Sequence, residues 1–212
     1  MSPIFNFLFE QYSSSSPSDI ALEITAVIFG FASVWFSKQN NILVFPTGLI
    51  STSIFVYLLL KWQLLGDMMI NAYYFLMSLY GWYIWTRKID SEQVTPISKT
   101  SKREQLIGGA IFMASIFAVY LVYQIFEMWT SWVAYVDTLT TALFFVGMWL
   151  MAKRKIENWI FWIIADIISV PLYFYKGFTF TSLQYLGFTI LAIFGFLAWK
   201  KHLNNTRLAA LK

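Results

Sequence analysis

The sequence predicts an all-α membrane protein with seven transmembrane helices. Three observations support this fold class: the composition, the length of the apolar segments and the distribution of positive charge. Hydrophobic residues make up 58% of the 212-residue chain and charged residues 12%, a balance unlike that of a soluble domain. Because lipid-exposed backbone groups must satisfy their own hydrogen bonds, apolar segments in a membrane form helices.

Seven apolar segments are long enough to cross a bilayer. Each has about 17–21 residues, which matches a hydrocarbon core about 30 Å thick at a rise of 1.5 Å per residue. We number them helix 1 to helix 7, and they comprise Ile20–Phe36, Ile42–Leu60, Met68–Trp85, Leu106–Phe126, Trp132–Ala152, Trp159–Tyr175 and Thr179–Trp199. Little of the chain is left for a soluble domain, so any chemistry is expected within the helix bundle.

The basic residues between these segments fall on alternate loops. All but two of the 15 Lys and Arg residues lie in the loops after helices 1, 3 and 5 or in the C-terminal tail. The two exceptions are Lys61 and Lys176. By the positive-inside rule, this distribution places the N-terminus outside the cell and the C-terminus in the cytoplasm.

The rest of the chain sets the expected boundaries. Residues 1–19 lack the basic start of a signal peptide and are too short to span a bilayer, so we expect an interfacial segment. We expect the first three-helix repeat at 20–88 and the second at 129–201. Between them, 89–128 contains a polar cytoplasmic loop and a linker, helix 4. Residues 202–212 form a cytoplasmic tail.

The two groups of three helices show a weak internal repeat. Two residue pairs lie 117 positions apart and two lie 114 apart: Gly30 with Gly147, Asn41 with Asn158, Gly81 with Gly195, and Trp85 with Trp199. Two three-helix units share one orientation only if an inverting helix separates them, and helix 4 is that helix. The sequence therefore predicts two parallel repeats in a 3+1+3 arrangement, with a substrate site near the midplane. This favours a transporter over a membrane enzyme.

Helix 6 carries the most informative polar face. Its members recur at helical spacing and combine an amide, an indole, a carboxylate, a hydroxyl and a phenol: Asn158, Trp162, Asp166, Ser169 and Tyr173. Aromatic faces stack on a flat ring and attract positive charge, while the polar groups hydrogen-bond hydroxyls. The alternative is that these residues join helices and form an aromatic belt.

Other helices add further candidates. They are Asp67, Asn71, Tyr74, Ser78, Trp82 and Trp85 on helix 3, Asp137, Thr141 and Phe144 on helix 5, and Thr181, Gln184 and Phe188 on helix 7. Polar residues inside a membrane usually face a cavity or a partner. Asp67 and Asp137 lie near helix ends, where water can hydrate a carboxylate at little energetic cost, so structural roles are favoured for both.

Several function classes lack the residues that they need. The sequence has no Walker lysine motif, no HExxH, no GxSxG and no cysteine, and His202 is its only histidine. We therefore expect no cofactor, no metal and no enzymatic activity, and we do not interpret the net charge of +4 as nucleic-acid binding. An intramembrane hydrolase that uses Asp137 and Asp166 stays open, as does a signalling or scaffold protein.

Three segments resemble characteristic segments of one family: Tyr73–Trp85, Asp137–Ala142 and Glu157–Gly177. On these residues the chain resembles the PnuC family of nicotinamide riboside transporters over helices 1 to 7. The resemblance implies a 3+1+3 bundle similar to a SWEET-type carrier, in the bacterial inner membrane. It also implies nicotinamide riboside uptake by facilitated diffusion, trapping by intracellular phosphorylation, and a homo-oligomer such as a trimer.

The resemblance also implies substrate contacts. The family's Asn-Trp-x-x-Trp falls on Asn158, Trp159 and Trp162, whereas Asn71 stands where many relatives have a longer Gln. The full set of candidate contacts is Asn158, Trp159, Trp162, Asp166, Tyr173, Gln184, Asn71, Tyr74, Asp137 and Thr141. No Arg or Lys cluster lies within the helices, so a phosphorylated nucleotide would find no counter-charge. Thiamine, another vitamin or nucleoside, and proton-coupled uptake through Asp166 or Glu23 stay as alternatives.

Overall fold

The protein forms seven helices in the part of the chain that the structure, a computed structural model, describes. This part comprises 16–62, 65–87, 95–127, 131–177 and 179–209. The helices are α1 (Pro17–Lys38), α2 (Val44–Lys61), α3 (Leu65–Thr86), α4 (Lys102–Ile125), α5 (Trp132–Ala152), α6 (Asn158–Tyr175) and α7 (Thr179–Ala209). All except α3 are both long and apolar enough to cross a membrane by composition. The seven-helix prediction is confirmed.

The helix ends follow from local sequence, with one difference from prediction. Ser16 caps α1, because its hydroxyl accepts a hydrogen bond from the backbone N–H of Asp19 at 3.2 Å. Ser101 and Glu104 form a reciprocal capping box at the start of α4. The last helix continues to Ala209, beyond the predicted end at Trp199. The predicted interfacial segment lies outside the described residues except at its C-terminal end.

Six helices pack in a closed ring. The main contacts join α1 to α2, α2 to α3, α3 to α5, α5 to α6, α6 to α7 and α7 to α1, while α4 lies outside the ring against α5. A two-fold rotation that carries α1–α3 onto α5–α7 maps each ring contact onto another. The packing is therefore consistent with the predicted 3+1+3 arrangement of parallel repeats.

A single sequence offset relates the two halves, and it corrects two of the predicted residue pairs. Each bound of α6 lies 114 residues after the matching bound of α2. The turns agree, since the N–H of Asn41 bonds the carbonyl of Phe36, and the N–H of Lys155 bonds that of Leu150. One offset of 114 thus relates both halves. The pairs at 117, Gly30 with Gly147 and Asn41 with Asn158, were wrong because single matches between apolar helices permit several alignments.

We call the end of the bundle where α1, α3 and α5 finish the basic end. Its core contains two tryptophans at equivalent positions of the two halves, Trp85 and Trp199. The indole N–H of Trp85 donates to the Met151 carbonyl at 3.3 Å, and that of Trp199 donates to the Ser37 carbonyl at 2.9 Å. Each bond links the last helix of one half to the first helix of the other. The pair of Trp85 and Trp199 therefore joins the halves at this end.

Two glycines make room for the rings of this core. A Cβ at Gly81 would lie 2.3 Å from the Phe45 ring, and one at Gly195 would lie 2.5 Å from the Trp159 ring. Phe45 and Trp159 are both buried and occupy equivalent positions 114 residues apart. The paired Gly-x-x-x-Trp motifs of α3 and α7 therefore have a packing role.

We expect Gly195→Ala to lower the stability of the protein, because the added methyl overlaps Trp159 and overpacking costs about 1–3 kcal/mol. Gly109→Ala is the matched control, since a Cβ there meets nothing within 4 Å and both changes carry the same gain in helix propensity. Thermal unfolding in detergent measures the difference. Equal melting temperatures for the two variants would contradict this account of the core.

Candidate substrate site between the two halves

Six aromatic side chains meet inside the ring of helices. This central aromatic cluster consists of Tyr74 on α3, Phe144 on α5, Trp162 and Tyr173 on α6, and Tyr185 and Phe188 on α7. The Trp162 ring lies 5.9 Å from Tyr74 and 5.4 Å from Phe144 between centroids. Tyr185 lies 5.8 Å from Phe144, 5.0 Å from Tyr173 and 6.5 Å from Phe188. The cluster thus joins the second half to α3 of the first.

The indole of Trp162 reaches the centre because α5 carries a glycine beside it. A Cβ at Gly147 would lie 3.4 Å from the indole nitrogen of Trp162. In the first half the small and the larger residue change places. Gly48 occupies the position of Trp162, and Ser33 occupies that of Gly147. A Cβ at Gly48 would lie 3.1 Å from the Ser33 hydroxyl, so the first half has no ring here. The two halves therefore contribute different chemistry to the centre.

A buried carboxylate accompanies the cluster. Asp166 is 2% exposed and interacts electrostatically with the hydroxyls of Tyr74 and Tyr185. Ser169 and Asn158 are fully buried on the same helix, and the Ser169 hydroxyl and Asn158 Oδ1 have no hydrogen-bond partner among the described residues. Buried polar atoms without partners are costly, so such atoms mark a place where a polar ligand gains binding energy.

The structure brings some of the sequence-predicted residues together. Trp162, Tyr173 and Tyr74 belong to the cluster, and Asp166 lies one turn after Trp162 on α6. Asn158 begins the same face of α6, where its amide nitrogen donates to the Lys155 carbonyl. This group agrees with the predicted polar face of helix 6.

Two further candidates lie close in sequence to cluster residues. Thr141 is buried on α5, one turn before Phe144, and Gln184 is half-buried on α7 next to Tyr185. Their contacts with a substrate stay predictions.

The other predicted residues have partners elsewhere. Trp159 is 2% exposed in the core of the basic end, where its ring meets that of Trp199 edge-on at 5.6 Å. The amide of Asn71 donates to the Asp67 carbonyl in its own helix. Asp137 forms an ion pair with Lys176 at 2.6 Å. The structure gives each of these three a structural contact, and their contact with a substrate stays a prediction.

The proposed hydrolytic pair is not assembled. Lys176, the partner of Asp137, lies ten residues after Asp166, which is about 15 Å along the helix axis. Two carboxylates that share one reaction must approach the same bond. The structure therefore does not favour the hydrolase alternative.

Sequence reasoning missed Tyr185, Tyr73 and Phe145. Tyr185 lies one helical turn after Thr181, so the periodicity that selected Thr181 contained the signal. Tyr73 stacks on Phe145 at 4.0 Å, and its hydroxyl donates to the Phe145 carbonyl at 3.0 Å. This second contact also joins α3 to α5, and no spacing within one helix could have indicated it.

A buried arginine closes the basic end. The Nε of Arg154 donates to Asn40 Oδ1 at 2.8 Å, an NH group donates to the Thr95 carbonyl, and the guanidinium lies 4.2 Å from the Trp85 ring centroid. Burial lowers the pKa of Arg154 to about 10, so the side chain stays charged at neutral pH. Asn40 and Arg154 occupy equivalent turns, with φ of 57° and 58°. Their bond therefore joins the two halves directly.

One ion pair in each half stabilises the opposite end. Lys61 contacts Asp19 at 2.7 Å between α2 and α1, and Lys176 contacts Asp137 at 2.6 Å beside α6 and α5. Lys176 is also the cation that approaches the cluster, with its nitrogen 4.9 Å from the Tyr173 ring centroid. Because Lys176 is already paired with the carboxylate of Asp137, it is poorly placed to bind an anionic ligand.

Residues 20–201 match the family described as nicotinamide mononucleotide transporter. The chain belongs to this family. It is therefore a multi-pass transport protein of the bacterial inner membrane, and the predicted family resemblance is confirmed. The predicted orientation of its termini stays a proposal.

Individual relatives are distant but cover most of the chain. The chain is 23% identical over 209 residues to the nicotinamide riboside transporter PnuC of Escherichia coli (strain K12), covering 88% of this chain and 86% of that protein. It is 24% identical over 196 residues to PnuC of Neisseria mucosa, covering 86% and 73%. It is 27% identical over 127 residues to the riboflavin/roseoflavin transporter RibM of Streptomyces davaonensis, covering 58% of each.

A solved structure shares the fold. The crystal structure of the vitamin B3 transporter PnuC aligns with a TM-score of 0.64 at 24% identity, covering 94% of this chain and 89% of that one. The family's fold therefore extends over nearly the whole chain.

We expect Arg154→Gln to open the basic end, because it removes charge-assisted hydrogen bonds worth about 1.5–3 kcal/mol. The chain has no cysteine, so Ser37→Cys, at a position 1% exposed in the basic-end core, reports on opening through its reaction with a water-soluble thiol reagent. The reaction should become about tenfold faster or more in the Arg154→Gln background. An unchanged rate would show that Arg154 does not hold this end closed.

The control for this experiment is Ser131→Cys. Ser131 is exposed at the start of α5, at the opposite end of the bundle. Its cysteine should react at the same rate with and without Arg154→Gln.

Proposed function

We propose that the protein takes up nicotinamide riboside by facilitated diffusion, and that intracellular phosphorylation traps the substrate. The observation that carries this proposal is the buried carboxylate of Asp166 beside the central aromatic cluster. A carboxylate in an apolar bundle is costly unless a positive charge accompanies it. Two relatives named nicotinamide riboside transporter, which the chain covers over most of their length, support the choice of substrate.

The chemistry of nicotinamide riboside fits this arrangement. Its pyridinium ring is flat and positively charged, so indole and phenol faces attract it and Asp166 offsets its charge. Trp162 is the central ring, because it contacts both Tyr74 and Phe144. The rings now contact one another, so the substrate must displace one of these contacts on binding. The unpartnered hydroxyl of Ser169, one turn after Asp166, would then bond a hydroxyl or carboxamide group of the substrate, whereas Asn158 lies about 12 Å before Asp166 along the helix.

The charges favour the riboside over the mononucleotide in the family's description. Recognition of a phosphate usually requires Arg or Lys in a charge-assisted hydrogen bond. The cation at the cluster, Lys176, is already paired with Asp137. Arg154, at the basic end, is bonded to Asn40 and Thr95. Neither is available to bind a phosphate at Asp166.

The route of transport follows from the two ends. The positive-inside rule supports a cytoplasmic basic end and an extracellular N-terminus. Contacts of Arg154 close that end, so substrate reaches the cluster from the other side, and release requires the basic end to open. Rocking of one half against the other around a central site would supply this alternation. We also propose a homo-oligomer, a trimer, which the family resemblance implies.

A second candidate is transport of another flat vitamin on the same scaffold. The match to a riboflavin/roseoflavin transporter favours it. Thiamine, a cationic ring with a hydroxyl, is a further alternative. Proton-coupled uptake through Asp166 or Glu23 is a third, and uptake that persists after collapse of the pH gradient would exclude it.

We expect Trp162→Ala to weaken nicotinamide riboside binding about tenfold or more, because stacking and cation–π contacts of a buried indole contribute about 1–2 kcal/mol or more. Trp132→Ala is the matched control, since Trp132 is half exposed at the opposite end and packs on Tyr175. Calorimetric titration of the purified protein measures both, with thiamine and nicotinamide mononucleotide as comparators. Parent-like affinity in Trp162→Ala would refute the proposed site, and tighter binding of thiamine would change the substrate.

We expect Asp166→Asn to separate the role of charge from that of shape. The amide keeps the size of the side chain but cannot offset a pyridinium charge, so affinity for nicotinamide riboside should fall about tenfold or more. Affinity for an uncharged nucleoside of similar size should change little. An equal loss for both ligands in calorimetric titration would assign Asp166 a structural role.

A further inference from the structure

A cavity lies away from the aromatic cluster, between α4 and the helices α5 and α6. This lateral crevice has a volume of about 410 Å³ and is lined by Thr100, Glu104, Gln105, Gly108, Gly109, Phe112, Val146, Leu150, Glu157 and Phe161. Two adjacent glycines keep it open. A Cβ at Gly109 would meet nothing within 4 Å, and the nearest atom to a Cβ at Gly108 is 3.7 Å away. Its deep part is apolar, and its polar residues lie at the basic end.

The two carboxylates at the mouth of the crevice are already bonded. Glu104 lies 3.0 Å from the amine of Lys155. Glu157 accepts hydrogen bonds from the backbone N–H and the hydroxyl of Thr100, at 3.0 and 2.6 Å. Lys155 therefore balances the charge of Glu104, while the oxygen of Glu157 that faces Thr100 is taken up by two neutral donors.

Three exposed cations lie next in sequence to residues of the crevice mouth. Lys99, Lys102 and Arg103 are exposed next to Thr100 and Glu104, and the three make no ion pair within the described ranges. The crevice therefore combines a largely apolar lining with exposed cations next to the residues of its mouth. This is the charge pattern that a lipid with an anionic headgroup complements.

We propose that the lateral crevice binds one acyl chain of an anionic phospholipid, with the headgroup phosphate at Lys102 and its basic neighbours. The acyl chain exchanges one apolar environment for another, so close packing in the crevice and the attraction of the headgroup by the neighbouring cations stabilise the complex. The surrounding face of α4 is apolar and exposed at Leu106, Met113 and Phe117, as expected for a helix in contact with lipid. The crevice is thus a candidate binding site for an acyl chain within a lipid-facing surface.

The position of the crevice links the lipid to the central site. Phe161 forms part of its wall, and a Cβ at Gly147 would lie 3.3 Å from the Cβ of Phe161 and 3.4 Å from the indole nitrogen of Trp162. A chain in the crevice therefore presses on the same contact of α5 with α6 that positions Trp162. Bound lipid stabilises α4 against these two helices.

The test compares two lipids that differ only in headgroup charge. Thermal unfolding of the detergent-purified full chain is measured with increasing dioleoyl phosphatidylglycerol or dioleoyl phosphatidylcholine in mixed micelles. We expect a larger rise in melting temperature with phosphatidylglycerol. Gly109→Leu fills the crevice, and the double variant Lys102→Gln/Arg103→Gln removes rim charge. Either change should raise the half-saturating phosphatidylglycerol concentration about tenfold.

The control is Lys200→Gln/Lys201→Gln, which removes the same charge from the exposed surface of α7. It should leave the lipid response unchanged. Equal shifts for both lipids, or a full response in Gly109→Leu, would overturn the proposal. A change of oligomeric state in Gly109→Leu would also overturn it, because a second copy of the chain would then be the occupant.

Discussion

The organisation of this protein depends on one constraint: polar groups within the bundle must find partners there, because hydrocarbon supplies none. Most obey it locally. The hydroxyls of Thr52 and Thr138, for example, donate to carbonyls one turn earlier, and the indoles of Trp85 and Trp199 donate across the halves. Among the described residues, the buried atoms without a partner include the Ser37 and Thr179 hydroxyls, the Trp159 indole nitrogen and, on the polar face of α6, Asn158 Oδ1 and the Ser169 hydroxyl. The Ser169 hydroxyl differs from the others because it lies one turn after the buried carboxylate of Asp166, on the helix that carries Trp162.

The two halves share one backbone arrangement but carry different side chains at the candidate site. Both use the same turn after their first helix, the same length of second helix and the same glycine under an aromatic ring. They differ where the substrate is expected, since Gly48 of the first half stands where the second has Trp162. A flat, asymmetric ligand needs such a difference, because an exactly repeated centre would bind it in two opposed orientations.

The length of the apolar segments and the charge of the loops predicted the number of helices and most of their ends, and the resemblance of three segments predicted the family. The sequence also placed Trp162, Asp166 and Tyr173 on one face. It could not fix the register of the repeat, since isolated Gly and Asn matches permit more than one alignment. Nor could it separate Trp159 from Trp162, because the ring of Trp159 fits against Gly195, a position distant in sequence. The partners of Arg154 are similarly remote.

The bond between Asn40 and Arg154 carries a consequence for the symmetry of the fold. The two residues occupy matching turns on either side of the pseudo-two-fold axis. In a dimer of identical three-helix units, the residue at this turn would meet its own copy. Two arginines there would repel each other, and two asparagines would lack the positive charge that Arg154 supplies. This unlike pair therefore requires two halves of different sequence, and two identical three-helix units could not close the basic end in the same way.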